Sequence, residues 1–266
     1  MLVEYRNMAI GETSLPCVIL AGGIGSRMRP LTDRVPKALL PVRGIPFAAY
    51  QLRWLASHGV GRVVYCLGQM GDQIRGFVGD GRRFGLQDVR YIEDGPQLLG
   101  TAGALRRAYD LGELPEQFLV LYGDSFLPID FGAFARAFHD RVASYSVAYG
   151  SENAVMAVYR NEGRYDVGNV RLSSKYPARV ELYKKGGDAG EMPYIDYGVT
   201  ALLSSVIARE VISGSVADLA AVYERLSHRG ELGAWIVDRR FYEIGTPHGL
   251  SAFERFVEEV GCEIPV

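Results

Sequence analysis

Residues 18–42 read VILAGGIGSRMRPLTDRVPKALLPV, and the rest of the chain is organised around them. The apolar opening, Val18 to Ala21, has the pattern of a buried strand. It runs into Gly22, Gly23 and Gly25, where side chains are missing and a positive φ costs little. Arg27, Arg29 and Lys37 then place cations along a segment that Pro30 and Pro36 keep from becoming an ordinary helix. A bare loop followed by cations suits a polyphosphate: backbone N–H groups can point at phosphate oxygens, and the cations neutralise the remaining charge. Two familiar phosphate loops are excluded. The Gly-x4-Gly-Lys-Ser/Thr spacing of a P-loop is absent, and Met28 stands where a dinucleotide fingerprint needs its third glycine.

Outward from this loop the pattern alternates. Pro46 to His58 has helical periodicity and a stop at Gly59, Arg62 to Leu67 is a β-branched and aromatic strand, and Gln69 to Val78 is again helical. A strand over Val89 to Ile92, a helix through Tyr109 and an apolar strand from Phe118 to Tyr122 follow. This rhythm predicts an α/β fold: a Rossmann-like, mixed and mostly parallel sheet with helices on both faces and the ligand beyond the carboxyl ends of the strands. Further on come a helix over Phe131 to Val142, an irregular connection from Ala143 to Asn153, and a strand at Ala154–Arg160. A helix from Val216 to His228, strands Leu232–Asp238 and Phe241–Ile244, and a last helix through Val260 complete the chain. The expected organisation is an extension, 1–15, and a single domain, 16–266, with a nucleotide-binding half to about 130 and an acceptor half beyond it.

Composition bounds the function. The 266 residues are 48% hydrophobic, ample for a large core, and a net charge of −2 argues against a nucleic-acid surface. Cys17, Cys66 and Cys262 are odd in number and far apart, so neither a disulfide framework nor a zinc site is expected. No run is long enough to span a membrane, and residues 1–14 carry Glu4 and Glu12 without the apolar core of a signal peptide. A cytoplasmic protein is expected. His58, His139, His228 and His248 accompany no Ser or Cys nucleophile and read as surface or capping residues.

Two further stretches carry chemistry. Gly123-Asp124 ends the apolar strand, where a carboxylate is costly unless something positive meets it; Mg²⁺ fits, and a plain turn aspartate is the alternative. From Gly100 to Ala104 the side chains are small enough for a flat ring to lie against the backbone, or the segment is an ordinary helix start capped by Thr101.

The 18–42 stretch resembles, nearly residue for residue, the signature of the sugar-1-phosphate nucleotidyltransferases, L-A-G-G-x-G-S/T-R-M/L-x-P-L-T-x3-P-K-x-L-x-P-V. The resemblance covers residues 16 to about 260, with strong motifs at the two ends and weaker ones between. It implies a short, single-domain member joining a nucleoside triphosphate to a sugar 1-phosphate with Mg²⁺, with a lean to GTP and a hexose or heptose 1-phosphate. It implies a nucleoside lying along Ala21, Gly22, Gly23, Gly25, Ser26, Gly100, Thr101 and Ala102. It makes Arg27, Lys37 and Lys185 the catalytic cations and Asp124 and Glu243 the metal ligands. Gly168, Lys184, Lys185 and Asp196 would meet the sugar phosphate. Four positions depart from the family pattern: Lys184 replaces a glutamate, Gly186 a proline, Asp196 an asparagine and Glu243 an aspartate. A cation at 184 cannot accept bonds from sugar hydroxyls; both lysines also read as a solvated loop before Gly186. Two other readings stay open: a cytidylyltransferase acting on phosphocholine or a similar non-sugar phosphate, and a non-catalytic, nucleotide-sensing homologue. Many such proteins form homo-oligomers, but no seam is evident here.

Overall fold

The computed structural model describes residues 15–143, 152–176, 178–186 and 191–261. β1 (Cys17–Ala21) leads through two short 3-10 turns, Ser26–Met28 and Lys37–Leu39, into a hairpin of β2 (Pro41–Val42) and β3 (Ile45–Pro46). Then α1 (Phe47–Ser57), β4 (Arg62–Leu67), α2 (Gly71–Val78), β5 (Asp88–Glu93), α3 (Gly100–Asp110) and β6 (Gln117–Tyr122) alternate as expected. The second half contains β7 (Ser125–Phe126), α4 (Phe131–Ala143), β8 (Ala154–Arg160), β9 (Val170–Leu172), β10 (Val180–Tyr183) and β11 (Tyr194–Leu203). It closes with α5 (Ser204–Glu210), α6 (Leu219–His228), β12 (Leu232–Val237), β13 (Tyr242–Glu243) and α7 (Pro247–Val260).

Nine strands form one mixed sheet. Its spine runs β10-β9-β11-β6-β1-β4-β5, with β8 beside β11 and β12 beside β8. The four strands β6-β1-β4-β5 are all parallel, so their carboxyl ends, and the loops that follow them, lie on one edge. β11 enters antiparallel to β6, which brings the second half of the chain against the first. Alternation along each strand feeds two cores. Cys17, Ile19, Val63 and Tyr65 pack with Phe47, Ile74, Phe134 and Phe253 on one face. Val18, Leu20, Val64 and Cys66 pack with Ala102, Leu105, Val222 and Leu226 on the other. Both faces are therefore covered by helices.

Three expectations need adjustment. α6 begins at Leu219 and not at Val216, because Asp218 is its N-cap and accepts from Ala220 N at 3.1 Å. α5, only seven residues long, was too short to announce itself by periodicity. Thr101 does not cap α3: Leu99 occupies the N-cap position without a side-chain bond, and the Thr101 hydroxyl is used elsewhere. The expected extension falls outside the described residues up to residue 14, as do residues 144–151 of the connection after α4, and Cys262. Cys17 and Cys66 are free and buried, and burial pushes the Cys66 thiol up to about 12.

Candidate active site

The loop after β1 is shaped by its own residues. Gly25 holds φ +71, and its carbonyl accepts from Met28 N at 2.9 Å and from the buried Thr32 hydroxyl at 2.8 Å. A side chain on Gly25 would press on Lys37 and Thr32 at 3.1 Å. Gly23 differs: nothing lies within 4 Å of where its side chain would stand, so packing does not require its bareness. That open space borders a cleft of about 260 Å³ at the carboxyl edge of the parallel strands. Of the nucleotide residues expected from sequence, Ala21, Gly22, Gly23, Gly100 and Thr101 line it, and so do Lys37 and Asp124. Gly25, Ser26 and Arg27 belong to the loop and its first turn without lining the cleft. Ala102 is corrected to the core: it is fully buried and its N–H is taken by the Ala217 carbonyl at 2.9 Å.

The two expected metal carboxylates do converge. β13 pairs with β7, setting Glu243 opposite Ser125, and Ile244 N donates to the Asp124 carbonyl at 2.9 Å. A methyl group placed on Gly245 would stand 3.6 Å from Asp124 Oδ2, 3.8 Å from Glu243 Oε1 and 3.3 Å from an Arg27 guanidinium nitrogen. Buried Gln51 fixes the approach, donating to the carbonyls of Tyr122 (2.9 Å) and Ser125 (2.7 Å), which bracket Asp124. Burial, then the nearby Asp124 charge, hold the Glu243 carboxyl above its ordinary range; Arg27 and Lys37 act the other way. Lys37 Nζ is 2.8 Å from Asp124 Oδ2. Two hard oxygen donors that repel each other are the donor set Mg²⁺ takes when phosphate oxygens and water complete its shell. No group of three or more His, Cys, Asp or Glu side chains that could hold a metal ion exists among the described residues.

In the second half of the chain, Lys185 Nζ pairs with Asp218 Oδ2 at 2.7 Å. Asp218 Oδ1 accepts from the Thr101 hydroxyl at 2.9 Å, and that hydroxyl accepts from Leu219 N at 2.7 Å. Burial pushes the Asp218 carboxyl up, but its bonds to Lys185, Ala220 N and Thr101 more than offset this and leave it low. Asp218 thus ties Lys185 to Thr101, a residue of the cleft. Sequence reading missed it, although an Asp immediately before an apolar helical run is an N-cap signal. Asp196 lies on β11 where the pairing with β8 shifts; its N–H donates to Asn169 Oδ1 at 2.8 Å and its Oδ1 accepts from Gly198 N at 2.9 Å. Burial pushes its carboxyl up to about 6. Its charge is felt by Tyr122, which lines the cleft, and by Tyr183. Lys184 is exposed, with its N–H on the Asn169 carbonyl at 2.9 Å. Gly168 is buried, and a side chain there would overlap the Met192 carbonyl; backbone packing accounts for its bareness. The same holds in part for Gly100 and Gly103, whose side-chain directions are filled by the carbonyls of Ala217 (2.5 Å) and Ser215 (2.6 Å).

Solved structures match this architecture over nearly their whole length. A UDP-glucose pyrophosphorylase complexed with UDP-glucose superposes with a TM-score of 0.72 at 14% identity, covering 93% of this chain and 99% of that one. The inositol-1-phosphate CTP transferase from T. maritima gives 0.69 at 20% identity, covering 96% and 99%. The fold is that of the nucleotide-diphospho-sugar transferases. Residues 17–157 match the family model described as Nucleotidyl transferase, and the chain belongs to that family. Curated relatives include the N-acetylmuramate alpha-1-phosphate uridylyltransferase of Neisseria meningitidis, 40% identical over 45% of this chain and 51% of that protein. The UTP--glucose-1-phosphate uridylyltransferase of Synechocystis sp. is 31% identical over 44% and 32%. The matched stretch spans about half or less of these relatives. No helix among the described residues is long and apolar enough to cross a membrane.

Proposed function

We propose that the protein transfers a nucleotidyl group from a nucleoside triphosphate to a sugar 1-phosphate, giving a nucleotide-activated sugar and pyrophosphate. The observation that carries this reading is the convergence of Glu243 and Arg27 on Asp124, which pairs with Lys37 in the lining of the cleft. Both substrates are anionic, so the protein's task is to neutralise and align them. The nucleoside lies along Gly22, Gly23 and the start of α3. Arg27 meets the β and γ phosphates. Lys37 leaves Asp124 for the α-phosphate and stabilises the charge that builds there as the new bond forms and the old one breaks. Asp124 and Glu243 would hold Mg²⁺, which when bound supplies Lewis-acid charge neutralisation at the phosphates. Lys185 orients the acceptor phosphate, whose oxygen attacks in line. No general base is needed, since a phosphate monoester is already ionised near neutral pH.

The names of the relatives include uridylyl-, guanylyl- and thymidylyltransferases. GTP with a hexose or heptose 1-phosphate belongs to that set: a D-glycero-alpha-D-manno-heptose 1-phosphate guanylyltransferase of Aneurinibacillus thermoaerophilus is 29% identical over 116 residues. A pyrophosphate-release screen of the common triphosphates against sugar 1-phosphates and phosphocholine tests the reading. Release with a sugar 1-phosphate is expected. Release with phosphocholine alone transfers the site to the non-sugar alternative, and no release with any pair contradicts catalysis.

A further inference from the structure

We propose that Gln51 is a positioning residue: from α1 it fixes the backbone beneath the Asp124 and Glu243 carboxylates and so sets their place relative to Lys37. The inference rests on the roles proposed above for those three groups. Gln51 is 2% exposed. Its Nε2 carries two hydrogens, and each has a carbonyl to meet: Tyr122 at 2.9 Å and Ser125 at 2.7 Å. These residues stand two before and one after Asp124. Ser125 is also the residue that β7 sets opposite Glu243. One amide therefore grips the chain under both carboxylates.

The next turn of the helix adds a third donor. Trp54, three residues on and so on the same face of α1, gives its Nε1 hydrogen to the Leu127 carbonyl at 2.8 Å. At its start the helix is tied to the turn that bears Lys37: Phe47 N donates to the Leu40 carbonyl at 3.0 Å, and Leu40 N to the Lys37 carbonyl at 3.0 Å. α1 thus joins the lysine turn to the carboxylate turn, and the 2.8 Å pair of Lys37 with Asp124 is held in that frame.

The other end of the amide shows why a glutamine stands here. Gln51 Oε1 is buried and accepts from no donor among the described residues. An orphaned acceptor is unfavourable in a core, so a side chain needed only to fill this space would be better apolar. Turning the amide over would set Oε1 against two carbonyl oxygens, which leaves the observed orientation as the favourable one. The position keeps its two donors in spite of the orphan.

Loss of a group that orients a metal ligand lowers metal affinity or activity by about tenfold to a hundredfold. Gln51→Met keeps the length of the side chain and removes both donors. Two quantities are measured on the whole protein, with the triphosphate that supports pyrophosphate release. One is Mn²⁺ affinity by electron paramagnetic resonance; the other is kcat and the acceptor KM, determined separately. Leu55→Ala, on the same helix and 1% exposed, is the control for loosened packing. Gln51→Met should bind Mn²⁺ about tenfold more weakly and lose about tenfold or more in kcat, with the acceptor KM within about twofold of wild type. Leu55→Ala should lower the melting temperature and leave Mn²⁺ affinity as it is in wild type. Gln51→Asn, one methylene too short to reach both carbonyls, should fall between, and it decides the matter if Gln51→Met does not fold. Wild-type Mn²⁺ affinity and kcat in a folded Gln51 variant, or equal losses in Leu55→Ala, overturn the positioning role and leave the nucleotidyl-transfer reading standing. A wild-type protein that binds no Mn²⁺ or releases no pyrophosphate with any triphosphate overturns the underlying reading and this inference with it.

Discussion

Lys37 Nζ lies 2.8 Å from Asp124 Oδ2, joining the cation of the glycine-rich loop to the carboxylate at the end of β6 across 87 residues of sequence. The pair is mostly buried, with 18% and 24% of its side chains exposed. Each partner balances the other's charge. Lys37→Ala removes the charge expected at the α-phosphate, so turnover should fall by about a hundredfold to a thousandfold. Thermal unfolding and circular dichroism measured alongside should confirm that the fold is kept.

Lys185 and Asp218 carry the second prediction. The ammonium that would meet the acceptor phosphate is already paired at 2.7 Å, so the acceptor must displace an internal carboxylate. Asp218→Asn retains an N-cap for α6 and removes that competitor. Steady-state kinetics should show a lower KM for the sugar phosphate. Lys185→Ala should raise the same KM about tenfold, as loss of a charge-assisted contact does, with the KM for the triphosphate little changed.

Asp196 supplies a pH dependence. Its carboxyl is held near 6 by burial, against about 3.9 in the unfolded chain. The folded state therefore binds this proton more tightly, and the associated stability is full below about pH 4 and lost as pH rises through about 6. Asp196→Asn keeps the bond from Gly198 N and has no charge to desolvate. At pH 7 it should be more stable than wild type by on the order of 1–3 kcal/mol, with the gap closing toward pH 4. Urea unfolding midpoints at several pH values measure this.

Gly100 tests packing. It holds φ +74 and its side-chain direction ends 2.5 Å from the Ala217 carbonyl. Gly100→Ala combines a strained backbone with a clash against backbone, which together cost about 2 kcal/mol or more. The melting temperature should drop by roughly 4–8 °C for a chain of this size.

Much of this was legible before the structure, and the reason differs by residue. Gly25, Pro30, Pro36 and Lys37 speak through local backbone chemistry, so the loop could be read directly. Asp124 and Glu243 could be placed only by resemblance, because nothing local says that β13 lies beside β7. Thr101 looked like a cap for its own helix and instead serves α6 through Leu219 N. Gly168 and Gly103 looked bare for a ligand and are bare for the carbonyls of Met192 and Ser215. Periodicity and residue size reveal that a position is buried or crowded; which neighbour crowds it is a tertiary fact. Asp218 escaped for the same reason, since its partner Lys185 lies 33 residues away.

The central claim is that Lys37, Asp124 and Glu243 join a nucleoside triphosphate to a sugar 1-phosphate. Its most direct test is the simultaneous measurement of pyrophosphate and nucleotide sugar by wild type and Asp124→Ala, with Mg²⁺ and both substrates, then with each omitted. The account expects equimolar products that vanish when Mg²⁺ or either substrate is left out and that nearly vanish in a folded Asp124→Ala. Triphosphate hydrolysis at the same rate without acceptor, or full activity in Asp124→Ala, would contradict it.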